Sequence, residues 1–273
     1  MSPEPQLEKL LASDIEANLA LSHSVGWRDA ESEWRVLHEA GDVRGVRIDG
    51  RLVAQGVLGD YGSAACLAKM VVAPELQGRR LGARLLDAFL RLADERRQPV
   101  GLAATERGRP VYASRGFEVS GELMILVGSP SLAAAPGQAV ASLTDAEWLV
   151  AADRRFSGCD RSRMLRARFR EASCCVRSEV GGFALASPQG EGLLVGPILA
   201  QSEEEARALA SAVFAAAPGL VRVDVPAERY EFRSWLVGIG FREVSLRVEM
   251  ARGAARAAWQ VPERYALATQ AWG

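Results

Sequence analysis

One order of elements occurs twice along this chain, and that repeat constrains the fold more than any other feature. In the first half, an apolar run at 43–48 meets Asp49-Gly50 and then a second run at 52–58. Asp-Gly suits the positive φ angles of a type I′ turn, so the pair reads as a β-hairpin. A third apolar strand at 64–72 stops before Pro74, and a glycine-containing turn leads into a helix. That helix carries Leu81, Leu85, Phe89 and Leu92 on one face and Arg84, Asp87, Arg91, Asp94 and Glu95 on the other, and Gln98-Pro99 ends it. A short buried strand at 100–104 and a short helix through 111–114, closed by Gly116, come next. Phe117 begins a further strand, and 124–127 is predicted to complete a hairpin with it. Helices are also predicted at 10–22 and 29–40, where Trp27 and Trp34 read as core or cleft-lining aromatics.

The second half repeats the order in weaker form. Runs at 174–178 and 183–187 flank Gly181-Gly182, and a third strand lies at 193–199. A helix at 202–216 opens with Ser202 and Glu205 at capping-box spacing. A strand at 221–225, a helix at 229–237 and Gly240-Phe241 complete the unit, the two Gly-Phe pairs standing 124 residues apart. An internal duplication of one α/β unit follows. The expected boundaries are a first unit at 1–128, a linker at 129–137 with Pro130, Pro136 and an alanine run, a second unit at 138–252, and a tail at 253–273 carrying Trp259, Tyr265 and Trp272.

Composition removes several function classes. Hydrophobic residues are 49% and charged ones 25%, as in a soluble globular protein, and no apolar run is long enough to span a bilayer. The start, Met1-Ser2-Pro3-Glu4-Pro5, lacks the pattern of a signal peptide, so a cytoplasmic location is expected. A formal charge of -1 offers no general attraction to nucleic acid or an acidic membrane, and neither is expected as a partner. Only Lys9 and Lys69 of the 33 basic residues are lysines, which reads as the coding bias of a GC-rich bacterial genome. Cys66, Cys159, Cys174 and Cys175 show no Cys-x-x-Cys spacing, and with only His23 and His38 beside them no metal site is expected.

The chemistry-bearing segment runs from Met70 to Leu86. A strand containing Met70, Val71 and Val72 passes through Gln77-Gly78-Arg79-Arg80 directly into a helix that begins Leu81-Gly82-Ala83. The first amides of a helix have no internal partners, and the helix dipole adds partial positive charge there. Small residues at Gly78, Gly82 and Ala83 admit a ligand to the main chain, and Arg79 and Arg80 add charge, a combination suited to a pyrophosphate. The run is neither a Walker P-loop nor Gly-x-Gly-x-x-Gly.

This segment resembles the coenzyme A signature of the GCN5-related N-acetyltransferase (GNAT) superfamily, Gln/Arg-x-x-Gly-x-Gly/Ala after a Val-x-Pro strand end. Arg80 stands in a position that is glycine in the signature. A second motif of that family, Asn-x-x-Ala-x-x-x-Tyr-x-x-x-Gly-Phe, resembles Thr105 to Phe117, where Tyr112, Gly116 and Phe117 match, Thr105 replaces asparagine and Gly108 replaces alanine. Gly26-Trp27, Ala104-Thr105, Asp160-Arg161 and the tail from Tyr265-Ala-Leu-Ala268 resemble bacterial proteins with two such domains in tandem. The resemblance implies an α/β (α+β) fold of two tandem GNAT-like domains, each a mixed, largely antiparallel sheet flanked by helices.

It further implies an N-acetyltransferase using acetyl-CoA as co-substrate and no metal, acting on a small-molecule or protein primary amine. Met70, Val71, Val72, Gln77, Gly78, Arg79, Arg80, Leu81, Gly82, Ala83, Thr105 and Arg115 would hold the coenzyme, and Tyr112 would be the general acid. Asp60, Glu31, Glu33 and His23 are within the choice for a base, with a water chain as the alternative, and none is singled out. The second unit places Gln201-Ser202-Glu203-Glu204-Glu205 where the first has its phosphate loop and Leu236 in place of Tyr112, so it is expected to be catalytically silent and to shape the cleft, with Phe156, Asp160 and Arg161 as lining. A coenzyme A sensor without turnover and a transferase for longer acyl groups are the other readings. Acceptor identity and oligomeric state are not read from the sequence.

Overall fold

The computed structural model describes residues 7–130, 140–216, 219–253 and 261–270; residues 131–137 of the expected linker, Trp259 and Trp272 lie outside the described residues. In the first unit β1 (Leu7–Lys9), α1 (Ile15–Ser24) and α2 (Glu31–Ala40) precede β2 (Gly41–Ile48), β3 (Arg51–Asp60) and β4 (Ala65–Val72). Then come α3 (Leu81–Glu95), β5 (Val100–Ala104), α4 (Arg109–Ala113) and β6 (Glu118–Gly128). The second unit runs β7 (Val140–Ser142), α5 (Ala146–Ser157), α6 (Ser162–Glu171), β8 (Cys174–Ser178), β9 (Phe183–Gln189), β10 (Gly192–Leu199), α7 (Glu203–Ala216), β11 (Val221–Pro226), α8 (Tyr230–Gly238) and β12 (Phe241–Arg252), with β13 (Arg264–Ala266) in the tail. The Asp49-Gly50 hairpin forms as its residues predict, with φ of 49° and 77°.

The two units share one mostly antiparallel sheet. Its strand order is β1-β2-β3-β4-β5-β12-β6-β11-β10-β9-β8-β7, with β13 paired to β10. The expected hairpin around 124–127 does not exist. β6 is one continuous strand that leaves its own unit and lies between β11 and β12, while β12 crosses back to lie between β5 and β6. Gly121 inside β6 marks close packing and no turn, since a Cβ there would meet Glu249 Oε2 of β12 at 2.9 Å. Each unit completes its sheet with the other's last strand, so neither has an exposed end at the junction.

Helices cover both faces. Gln55 on β3 donates to Ser22 Oγ at 3.0 Å and accepts from Asn18 at 2.9 Å, tying the sheet to α1. At the next residue a Cβ on Gly56 would meet Met70 and Phe89, so α3 packs the opposite face closely at that point. Helices α5 and α6 of the second unit join the first unit's apolar core through Leu149, Met164 and Leu165. A buried Arg161–Asp153 pair, at 2.5 Å, locks that junction. Asp160 pairs instead with Arg154 at 3.0 Å and donates its backbone N–H to the Tyr61 carbonyl, so Asp160-Arg161 builds the interface between units, and Phe156 packs on Phe183.

Candidate active site

Strands β4 and β5 run parallel but pair only at Ala65–Val100 and Cys66–Gly101. Beyond that point they separate, so the β5-facing edge of Leu67–Val72 has no partner strand among the described residues. A bulge on the same stretch reinforces the opening: Gln55 faces Val71 and Val57 faces Ala68, leaving Lys69 and Met70 opposite Gly56, with Lys69 at φ 53°. Met70, Val72 and Tyr112 all pack against the core beside this opening.

The loop from β4 to α3 brings glycine, helix amides and positive charge together. Gly78 has φ 80°, and open space surrounds its Cβ position, so backbone conformation rather than crowding requires glycine there. Arg80 adopts the left-handed conformation, φ 61°, that glycine has little difficulty adopting, so the family's glycine geometry is retained with an arginine in place. Gly82 lets α3 lie on β4, a Cβ there falling 3.4 Å from Val72. Leu81 is buried as the helix's first anchor and Ala83 is half-buried, leaving the leading amides of α3 at the loop. Arg79 and Arg80 are exposed and have no ion pair among the described residues. The Gln77 side chain donates to the Val72 carbonyl at 3.2 Å and clamps the loop to the strand end.

Helix α4 leaves the end of β5 and carries Tyr112 at the mouth of the opening. Thr105 Oγ1 accepts the Gly108 N–H at 3.2 Å, starting this helix while its own proton stays available. Gly108 packs close to Tyr112, and a Cβ there would sit 3.1 Å from the ring. The ring meets Phe117 edge-on at 5.9 Å, and burial pushes the phenol up to about 12. Arg115 is held by Asp87 of α3 at 2.8 Å, so it docks α4 onto α3, with its charge already partnered.

In the second unit both equivalent places are filled from within. Glu205 is fully buried and accepts hydrogen bonds from Ser178 Oγ, from the Gly182 N–H at 2.9 Å and from the Gln201 N–H at 2.6 Å, while Ser202 Oγ accepts the Glu205 N–H. The helix start thus carries its own carboxylate. Strands β10 and β11 pair from Leu193 to Val195 and then separate as β4 and β5 do, but β13 enters there, pairs Ile198 with Ala266, and donates the Leu267 N–H to the Asp224 carbonyl at 2.9 Å. Leu236, at the place of Tyr112, is buried.

Two family models, each described as an acetyltransferase (GNAT) domain, match residues 39–119 and 149–265. The chain belongs to the GNAT superfamily and carries two of its domains in tandem. It is therefore a transferase by family. A Bacillus subtilis protein, the uncharacterized N-acetyltransferase YitH, is 29% identical over 251 residues, spanning 87% of this chain and 88% of its own. The fold of a candidate acetyltransferase from Pyrococcus horikoshii superposes with a TM-score of 0.85 at 19% identity, over 100% of this chain and 97% of that one. A tandem GNAT protein of the clavulanic acid biosynthesis pathway gives 0.64 at 16% identity, over 91% and 98%. Among the described residues no helix is long and apolar enough to cross a membrane.

The first GNAT unit also holds a charged cluster that sequence reasoning missed. Lys69, at the bulge, donates to Asp29 at 2.7 Å and Glu33 at 3.0 Å, and its ammonium lies 5.5 Å from the Trp27 ring centroid. The Asp29 and Glu33 side chains are only 6% and 9% exposed. Burial acts to lower the Lys69 value, but the two carboxylates outweigh it and hold the ammonium above its ordinary range. A lone lysine in an apolar strand of an arginine-rich chain was the available signal. Of the four base candidates, Asp60 accepts from Gly62 and Gln98, Glu31 is exposed on Arg35, and His23 meets the Asp29 carbonyl at 3.3 Å. Only Glu33 reaches this cluster directly.

Proposed function

We propose that the first unit transfers an acetyl group from acetyl-CoA to a primary amine by direct attack, with Tyr112 as general acid. The observation that carries this reading is the convergence at the β4–β5 opening of an anion loop and a phenol. The loop offers leading helix amides, two left-handed residues and two arginines with no acidic partner among the described residues. These features fit a pyrophosphate, and the unpaired edge of β4 fits the amide-bearing arm behind it, offering main-chain groups in place of a neighbouring strand. Gly78, Arg79, Arg80, Leu81, Gly82 and Ala83 hold the phosphates in this reading. Met70, Val71 and Val72 hold the arm, and Thr105 donates its hydroxyl proton to it. Gln77 and Arg115 fix the loop and α4 in place.

In the transfer, the neutral amine nitrogen bonds to the acetyl carbon, the carbon–sulfur bond breaks, and the electron pair leaves on sulfur. The nitrogen then loses its extra proton to water. Tyr112 gives a hydrogen bond to the departing sulfur. As the carbon–sulfur bond breaks, the phenol passes its proton toward the departing sulfur and is reprotonated from solvent. The filled grooves of the second unit support a single coenzyme site per chain. A thiol-release assay over a panel of amines, with Tyr112→Phe beside the unaltered protein, tests this reading. Turnover lowered by about 100-fold in the variant supports it, and turnover within threefold removes Tyr112 from the chemistry.

A further inference from the structure

Lysine is an unexpected residue for the backbone that position 69 adopts. Lys69 lies inside β4 with φ 53°, a left-handed conformation that costs any residue with a side chain and persists only where its surroundings impose it. The strand register shows the consequence. Gln55 faces Val71 and Val57 faces Ala68, so Lys69 and Met70 together oppose Gly56 alone. In such a bulge one residue is left out of the ladder, and its main-chain groups cannot all reach β3. The other edge of β4 has no partner strand past the Cys66–Gly101 pair among the described residues. An amide released by the bulge therefore has the opening to turn to.

The bulge is pinned from both faces of the sheet. On the α3 face, a Cβ at Gly56 would fall 2.5 Å from Met70 Sδ and 2.7 Å from Phe89 Cε2, so glycine there makes room for Met70 to fold across the bulge. On the opposite face, Lys69 Nζ lies 2.7 Å from Asp29 Oδ1 in the α1–α2 connection and 3.0 Å from Glu33 Oε1 at the start of α2. The Trp27 ring, 5.5 Å away at its centroid, adds an aromatic wall. Asp29 Oδ2 is buried with no hydrogen-bond partner among the described residues, so Lys69 cannot leave without stranding a buried carboxylate. The lysine is thus fixed at both ends, by its own strand and by the helical layer above it.

We propose that Lys69 is a positioning residue for the transfer: its ammonium, clamped by Asp29 and Glu33, holds the β4 bulge in the left-handed form in which a main-chain amide of residues 69–70 faces the opening and donates to the carbonyl oxygen of the thioester. This rests on the acetyl-transfer reading and deepens it. A coenzyme arm that starts at the 77–83 loop runs back along β4 toward the closed end at Cys66–Gly101, and the bulge lies between those two points. Negative charge gathers on the carbonyl oxygen as the amine attacks, and an amide already fixed in place lowers the barrier most at that moment. Lys69 itself touches no substrate atom. Asp29 and Glu33 act one step further back, by keeping the ammonium where it is.

The test compares Lys69→Met, Lys69→Arg and Glu33→Gln with the unaltered full chain, at a temperature where unfolding curves show each protein folded. Affinity for coenzyme A, which lacks the acyl carbonyl, is expected to stay within about threefold in a calorimetric titration. With the best amine of the thiol-release panel, kcat is expected to fall about 30-fold in Lys69→Met and about 10-fold in Glu33→Gln, while the KM for acetyl-CoA moves less than about threefold. Lys69→Arg is expected to recover part of the loss. Gly182→Ala, a destabilising change in the second unit, is expected to keep its kcat, which separates the effect from lost stability. A spectroscopic signature accompanies the kinetics. The carbonyl stretch of isotope-labelled acetyl-CoA is expected to move to lower frequency on binding the unaltered protein and to stay near its free value on Lys69→Met. A kcat within about threefold of the unaltered protein, or an equal carbonyl shift in both, overturns the proposal, read in Lys69→Met or, should that variant not fold, in Glu33→Gln. Failure of the unaltered protein to bind acetyl-CoA at all instead overturns the acetyl-transfer reading on which the proposal stands.

Discussion

Replacing Lys69 with methionine tests the charged cluster at the β4 bulge. The substitution keeps the length of the stem and removes the ammonium held at 2.7 Å from Asp29 and 3.0 Å from Glu33. Breaking a buried pair from one side costs about 3–5 kcal/mol, and here one change strands two carboxylates. A loss of about 4 kcal/mol is expected at pH 7, or roughly 8 °C in melting temperature for a chain of this size. The pH dependence carries the sign. Lys69 is held above its ordinary value, so its contribution is full below about 10.5 and fades as pH rises through the folded value. Urea unfolding of both proteins at about pH 7, 9 and 11 reads this out, with the deficit expected to begin shrinking only above about 10.5. A deficit below about 1 kcal/mol, or one independent of pH, would refute the reasoning.

Three further outcomes follow from the two units. Arg80→Gly removes a side chain from a left-handed position and is expected to leave stability unchanged or raise it by up to about 1 kcal/mol, while weakening acetyl-CoA binding; denaturation and titration on one sample separate the effects. Gly182→Ala would drive a Cβ into Glu205 and to 2.7 Å from the Leu199 carbonyl, costing about 1–3 kcal/mol of stability, checked by thermal unfolding. With the phenol pushed up to about 12, kcat is expected to show no falling limb assignable to Tyr112 below about pH 10, and Tyr112→Phe should lower the rate without reshaping the profile over that range.

Local signals made the repeat legible. The Asp49-Gly50 turn, the amphipathic α3 and the Gly116-Phe117 and Gly240-Phe241 ends each follow from a few adjacent residues. The glycine and arginine loop before α3 was readable for the same reason. The strand exchange was not, because β6 and β12 each look like an ordinary last strand and their partners lie more than a hundred residues away. At the departures from the family motif, Arg80 keeps a glycine-like backbone and Gly108 lies against the Tyr112 ring. The capping-box spacing of Ser202 and Glu205 was visible, but only the fold shows that Glu205 reaches back to Gly182 and fills the start of α7 from within. Lys69 lies in β4 while Asp29 and Glu33 lie just before and at the start of α2, and no spacing connects the two segments.

The most direct test is calorimetric titration of acetyl-CoA into the full chain and into an Arg79→Glu/Arg80→Glu variant. The account predicts a single site per chain with micromolar affinity, lost in the variant as like charge replaces the phosphate partners. No binding to the unaltered protein, a second site per chain, or unchanged affinity in the variant would contradict it.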